Sequence, residues 1–439
     1  MLRNPFRFLE NSSSVERHAL LASTLGWMLD GMDVTLYAMV LPRLMHEFQL
    51  STSQAGFLAS VTLVASAAGG ILFGVLADRF GRRFALIASI VGYSVFTAAC
   101  GLSHSVTELA VYRALLGLGM GGEWATGAAL VAETWSAEHR GKALGLMQSG
   151  FAVGYALAAL IAAIILPRWG WRDVFFVGLL PAFLTLWISR AVEESPMWLQ
   201  GAGVRGSGLG LREKSTLDKN FNAEPQDPHP EPRTPKPESR TPSARGGYAK
   251  IILVTLLMNS AAMFGWWGLF TWIPSYLALP LAQGGRAMSI AASAEWIVAM
   301  QAGMWLGYVS FGFVSDLLGR KKTYIGYLLV AAALVPGYAH ARDAGMLLLL
   351  GPLVAFFGTG HFTGFGIITA ELFPTSIRAS AMGLTYNFGR ALSAAAPWAI
   401  GAVARQHGLG SAFWISGLAF LLAGVLALAL PETQGLRLQ

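Results

Sequence analysis

Apolar residues in this chain fall into long blocks, among them 58–76, 251–279 and 412–430, and the stretches between them gather Gly, Pro and charge. Each block approaches the ~20 residues that an α-helix needs to cross ~30 Å of hydrocarbon. Read in order, the blocks predict twelve spans, near 18–41, 54–77, 84–101, 107–132, 143–166, 173–190, 250–279, 291–314, 323–339, 345–370, 380–403 and 411–430. The first block is longer than the apolar core of a signal peptide, contains acids and lacks a small-residue cleavage site, so it is expected to remain as helix 1.

Composition supports membrane spans over buried core helices. Of 439 residues, 54% are hydrophobic and 13% charged. A soluble chain carries about 25% charged residues. Lys and Arg collect on alternate loops, at Arg3, Arg7 and Arg17, at Arg79, Arg82 and Arg83, at Arg140 and Lys142, at Arg320, Lys321 and Lys322, and at Arg378. That bias predicts an inner-membrane, multi-pass protein with both termini in the cytoplasm, and it accounts for the net charge of +7 without nucleic acid. The lone Cys100 excludes an intrachain disulfide.

Residues 200–249 break the pattern, being Gly-rich and then alternating charge with proline in "EPQDPHPEPRTPKPESRTP". Such a stretch neither forms a core nor continues a helix, so it is expected to be a disordered cytoplasmic linker between six-span units at 1–199 and 250–439. The units are copies of one another. "GVLADRFGRRF" from Gly74 recurs as "GFVSDLLGRKK" from Gly312, an offset of 238 residues that also carries Glu133 onto Glu371 and Arg140 onto Arg378. Duplicated six-span units build many transporters, with a site near the midplane between halves that rock about it.

These repeated loops resemble the signature of the major facilitator superfamily, over the whole chain except the linker. The resemblance implies an all-α membrane fold of two pseudo-symmetric six-helix bundles. Within the family, "RALLGLGMGGEW", "GWRDVFFVGLLP", "ESPMWL" and the "DGMD" of helix 1 are similar to proton-linked metabolite and organic-acid symporters, the sialate and monocarboxylate branch above all. It further implies that Gly74, Asp78, Arg82, Arg83, Glu133, Arg140, Gly312, Asp316, Arg320, Glu371 and Arg378 latch the halves on the cytoplasmic side. On the residues alone, the same loops serve as positive-inside signals.

An acid at the centre of a membrane helix costs about 2.5–3.5 kcal/mol on insertion scales, so deep ionisable residues point to function. Asp30 and Asp33, Glu123, His361 and Arg390 all lie about ten or more residues from their predicted helix ends. The first four are candidates for proton coupling. Helical spacing puts Tyr37 on the stripe of Asp30 and Asp33, and Tyr386, Asn387 and Ser393 on that of Arg390, and both stripes are expected to face a central cavity. Arg390, Asn387, Tyr386, Tyr37, Trp267 and Gln148 are the candidate substrate contacts, with Trp266, Phe270, Trp272 and Tyr276 as further cavity wall. Each candidate also has a plain structural reading as a packed, hydrogen-bonded or lipid-anchoring side chain, and Arg113 has no assigned role.

Arginine keeps its charge inside a protein and offers a bidentate fork to a carboxylate. An anion arriving at Arg390 would displace the acid that had balanced it, and that acid would take up a proton. The expectation is proton-coupled symport of a small organic anion by a monomer working through alternating access, with no cofactor. A proton antiporter for cationic compounds and a solute-sensing receptor are the alternatives. No G-x-S-x-G elbow, H-E-x-x-H or P-loop lysine supports an enzyme, and "GLGMGG" lies within a span and serves for packing.

Overall fold

A computed structural model describes residues 7–10, 12–136, 139–195, 198–199, 246–373 and 375–434, and the described residues contain helices and no strand. After a single turn at Arg7–Glu10, α1 (Ser14–Glu47), α2 (Thr52–Phe80), α3 (Arg82–Cys100), α4 (Val106–Thr134), α5 (Arg140–Trp169) and α6 (Trp171–Ala191) make the first half. The second comprises α7 (Gly246–Ala278), α8 (Ile290–Leu318), α9 (Arg320–His340), α10 (Ala344–Leu372), α11 (Thr375–Ser393, continued as Ala395–Ala412) and α12 (Trp414–Ala427). The twelve-span reading holds, with longer helices than the apolar blocks alone mark out. Residues 200–245 of the expected linker lie outside the described residues, and its last few residues already belong to α7.

Among the described residues seven helices are each long and apolar enough to cross a membrane, or eight if the bent α11–α12 pair is one span. Those that fall short include α1 and α4, which bury Asp30, Asp33, Arg113 and Glu123. Reciprocal caps start α1 (Ser13 with Glu16) and α2 (Ser51 with Gln54), supplying partners for backbone N–H groups that have none within the helix. Inside each half the helices approach backbone to backbone. A Cβ at Gly69 of α2 would overlap the Leu118 carbonyl of α4, and one at Gly307 of α8 would overlap the Phe356 carbonyl of α10. Both residues of the second pair are displaced by 238 from the first, so one glycine-based crossing is built twice.

The halves meet along α2–α11 and α5–α8. At one end they interlock: Thr52 Oγ1 donates to the Gly401 carbonyl at 2.6 Å, and a Cβ at Gly56 would overlap the Pro397 carbonyl. Further along, Gly70 faces the side chain of Asn387. One turn beyond, on the same faces, Gly74 and Gly383 have no atom within 4 Å of where a Cβ would stand. Gly145 and Gly312, on the α5–α8 seam, are equally open. The halves are therefore closed at the Thr52 end and parted at the end carrying the repeated loops.

Gly81 (φ 102°) and Gly319 (φ 99°) turn the chain between α2 and α3 and between α8 and α9. This backbone region is almost confined to glycine, and a Cβ at Gly81 would also collide with the Glu194 carboxylate. Gly81→Ala is expected to lower stability by about 1–3 kcal/mol. Thermal unfolding of the purified protein should show it as a fall of several degrees in Tm, whereas Gly74→Ala, which enters open space, should leave Tm within about a degree.

Candidate functional site

The repeated loops build two matching polar networks. In the first half the Glu194 carboxylate accepts from the backbone N–H of Arg82 (2.8 Å), Arg83 (3.1 Å) and Ser195 (2.9 Å), capping α3. Arg82 pairs with Asp78 (2.6 Å) and Glu133 (3.1 Å), and Ser195 Oγ donates to Glu133. In the second half Glu432 caps α9 through the N–H groups of Arg320 (2.8 Å) and Lys321 (3.3 Å). There Arg320 pairs with Asp316 (2.5 Å) and Glu371 (3.4 Å), and Thr433 donates to Glu371 (2.6 Å).

In this conformation, with the loop-bearing end parted, these contacts stay within each half. Each network ties helices of one half to the segment that follows its sixth helix, and none of these ion pairs crosses between halves. The cause is the glycine turn, which folds Arg82 and Arg320 back onto their own bundle. Gly74 and Gly312 make no close helix approach in this conformation, and the side chains of Arg140 and Arg378 lie outside the described residues. Sequence reasoning missed the caps themselves. Glu194 and Ser195 map onto Glu432 and Thr433 at the same 238-residue offset, which was the available signal.

Three carboxyls are buried where α1, α3 and α4 converge: Asp30, Asp33 and Glu123, none more than 2% exposed. Asp33 accepts from Thr97 Oγ1 at 3.0 Å through one oxygen. Its other oxygen, and both oxygens of Asp30 and of Glu123, have no hydrogen-bond partner among the described residues. Gly26 makes room, since a Cβ there would overlap the Glu123 carboxylate. Across the interface Arg390, 1% exposed, acts electrostatically on both Asp30 and Glu123, with no ion pair within 4.0 Å among the described residues. Its guanidinium lies 5.5 Å from the Tyr386 ring, and its Nε is unpartnered.

Arg390, Tyr386, Gln148, Trp267 and Tyr308 border one narrow cavity between the halves. Tyr386 stacks on Trp124 of α4 (3.9 Å between centroids), and Trp124 donates to Gln148 at 3.0 Å. The spacing of the chain had not singled out Trp124, Tyr308, Trp27 or Phe151. A second cavity, nearer the closed end, is bordered by Tyr37, Arg113, Trp266, Trp267 and Phe270.

The two polar stripes do not face one cavity. Asp30 and Asp33 turn into the first bundle and border neither cavity, while Tyr37 borders the second and fixes its hydroxyl on the Ala55 carbonyl at 2.7 Å. On α11, Tyr386 and Arg390 border the cavity. Asn387 instead bonds the Gly383 carbonyl (3.1 Å) and touches α2, and Ser393 bonds the Arg390 carbonyl (2.8 Å). The difference follows from helix crossing, because spacing defines a face but not what is packed against it. His361 likewise borders neither cavity; its ring is buried close to Tyr324, Phe362 and Phe420. On α7, Trp272 and Tyr276 bond the Pro397 and Ala339 carbonyls and brace the closed end.

The profile of the Major Facilitator Superfamily matches residues 24–310 and 255–437. The chain belongs to this superfamily. It is 30% identical to a probable 4-methylmuconolactone transporter of Cupriavidus pinatubonensis, covering 99% of this chain and 95% of that one. It is 30% identical to a cis,cis-muconate transport protein of Acinetobacter baylyi (95% and 94% covered) and 29% identical to a sialic acid transporter of Escherichia coli (92% and 91%). Among solved folds, the xylose transporter of E. coli in a partially occluded inward-open conformation superposes with a TM-score of 0.73 at 21% identity, covering 97% of this chain and all of that one. As a superfamily member it is a multi-pass transporter and not an enzyme.

Glu432 lies beyond the last span. Partial burial works against its ionisation, but N–H donors of Gln434, Lys321, Arg320 and Thr433 outweigh this and hold the carboxyl below the ordinary glutamate range. A lowered folded value means that the cap stabilises fully above the unfolded glutamate value, ~4.3, and that the stabilisation is lost as pH falls through the folded value. Tm measured from pH 6 downward should therefore decline in the wild type from about that point, and Glu432→Gln should start lower and decline less.

Proposed function

We propose that this transporter carries a small organic anion, an unsaturated or aromatic carboxylate, together with a proton. The observation that carries the reading is Arg390, buried without a carboxylate partner on the wall of an aromatic-lined cavity, together with Asp30 and Glu123, buried behind that cavity in the first bundle with unpartnered oxygens. A permanent cation in that setting suits a carboxylate, and the tryptophans and tyrosines around it suit a flat apolar body. The relatives named for 4-methylmuconolactone and cis,cis-muconate support the same class, and the one named for sialic acid supports an organic anion more broadly. A cationic cargo fits poorly beside Arg390, which disfavours the antiporter.

The coupling follows from charge. When the cavity is empty, an ionised Asp30 or Glu123 balances Arg390 through space. A bound carboxylate takes over that balance, and the displaced acid is left as a buried charge unless it is protonated. Anion and proton then cross together as the halves rock about the α2–α11 and α5–α8 seams. With the basic loops in the cytoplasm of a plasma-membrane protein, the open end faces inward and the Thr52 end is shut toward the outside. The two bundles carry the whole cavity, so a monomer suffices, with 200–249 as the link between them.

Uptake of labelled cis,cis-muconate, sialate and 4-hydroxybenzoate into proteoliposomes, with and without an inward-acid gradient, tests this. Accumulation driven by the gradient is expected for at least one of them. Arg390→Ala should lose both uptake and exchange. At the acid that carries the proton, Asp30→Asn or Glu123→Gln should retain anion exchange and lose accumulation. Extrusion of a cationic dye, with no anion moved, would overturn the reading.

A further inference from the structure

The second cavity holds a charge that the coupling scheme leaves unused. Arg113, on α4, is 2% exposed, yet no carboxylate pairs with it among the described residues. The ionisable side chains near enough to act on it are Tyr37 and Cys100, neither of them an acid of the carboxyl kind. What holds the guanidinium is one bond from Nε to the Leu58 carbonyl (3.0 Å) and the face of the Tyr37 ring, 3.6 Å from the guanidinium carbon. Tyr37 is itself anchored through its hydroxyl to Ala55, so the ring is a fixed platform.

A buried cation retained by one neutral hydrogen bond and one ring face is under-compensated, because burying an ion is costly without a charged partner. The remaining nitrogens of its fork make no hydrogen bond among the described residues, and the side chain borders the cavity walled by Trp266, Trp267 and Phe270. Trp266 and Trp267 border the Arg390 cavity as well. One tryptophan pair on α7 thus separates two pockets, each with one buried arginine. Arg113 lies ten residues before Glu123 on α4, about 15 Å nearer the Val106 end of the helix, which is the closed end.

We infer that Arg113 forms a second carboxylate site, an outer station at which an unsaturated or aromatic acid lies against the tryptophan pair before or after it occupies Arg390, once the closed-end cavity, about 20 Å³ as it stands, has opened. The inference rests on the organic-anion reading above. It adds that the anion has two binding positions along its path, one on each half. At the outer station the guanidinium fork engages the carboxylate while Trp267 and Phe270 cover the apolar body.

Equilibrium binding to the purified full chain, read by tryptophan quenching with 4-hydroxybenzoate and cis,cis-muconate, isolates this site without requiring transport. Arg390→Gln removes the inner station and should leave binding weakened by tenfold or more but saturable. Adding Arg113→Gln should abolish what remains, whereas Arg113→Lys in the same background should keep part of it, since charge is the requirement. Arg113→Gln alone should still bind through Arg390, which shows that the variant folds. The inference is overturned if Arg390→Gln binds nothing, or if the double variant binds as the single one does. Binding with these dependences but no gradient-driven accumulation would refute symport and leave the site standing. Absence of binding to the wild type would refute both.

Discussion

The constraint on which the rest depends is the burial of charge in helices that must also cross a membrane. Two arginines and three carboxyls lie inside the bundle at 2% exposure or less, and none makes an ion pair within 4.0 Å among the described residues. Each would be costly alone. What keeps the set tolerable is division: the acids are inside the first half, and Arg390 is on the second, on the wall of the cavity where the halves meet. Compensation is thus a property of the interface, and anything that enters the cavity or moves the halves changes it.

Duplication supplies rigid halves to carry that interface. The Gly69–Leu118 and Gly307–Phe356 crossings, and the Glu194 and Glu432 caps, are the same constructions 238 residues apart. Each network closes on its own bundle, so bundle integrity does not depend on which end of the cavity is open. Symmetry ends where function begins. Glu123 and His361 are repeat mates, but Glu123 faces Asp30 and Arg390 while His361 is enclosed by aromatic rings. A copy with histidine in place of glutamate at that position leaves the buried carboxyls to one half.

The span count, the two-bundle plan and the depth of Asp30, Asp33, Glu123 and Arg390 were legible in the sequence, because hydropathy and helical rise record them directly. What each residue touches was not. Asn387 and Tyr386 are adjacent, yet one packs on α2 and the other borders the cavity, since one residue on a helix is about 100° of rotation. The caps at Glu194 and Glu432 were hidden for a different reason: they come from segments outside the apolar blocks and meet helices more than a hundred residues earlier. Arg113 stood out in the sequence only as part of the helix 4 motif, and its burial without a carboxylate partner is a fact of three dimensions alone.

The absence of a direct bond between Arg390 and its acids is itself mechanistically apt. Breaking a buried salt bridge by taking away one partner costs about 3–5 kcal/mol. A carboxylate substrate that had to displace such a bond would bind weakly, or the protein would rest in the paired state. Held apart, Arg390 keeps its Nε without a partner and makes no ion pair among the described residues, while Asp30 and Glu123 feel its charge only through space. The geometry therefore lets occupancy of the cavity govern the proton without fixing the conformation, which is what coupling two solutes to one motion requires.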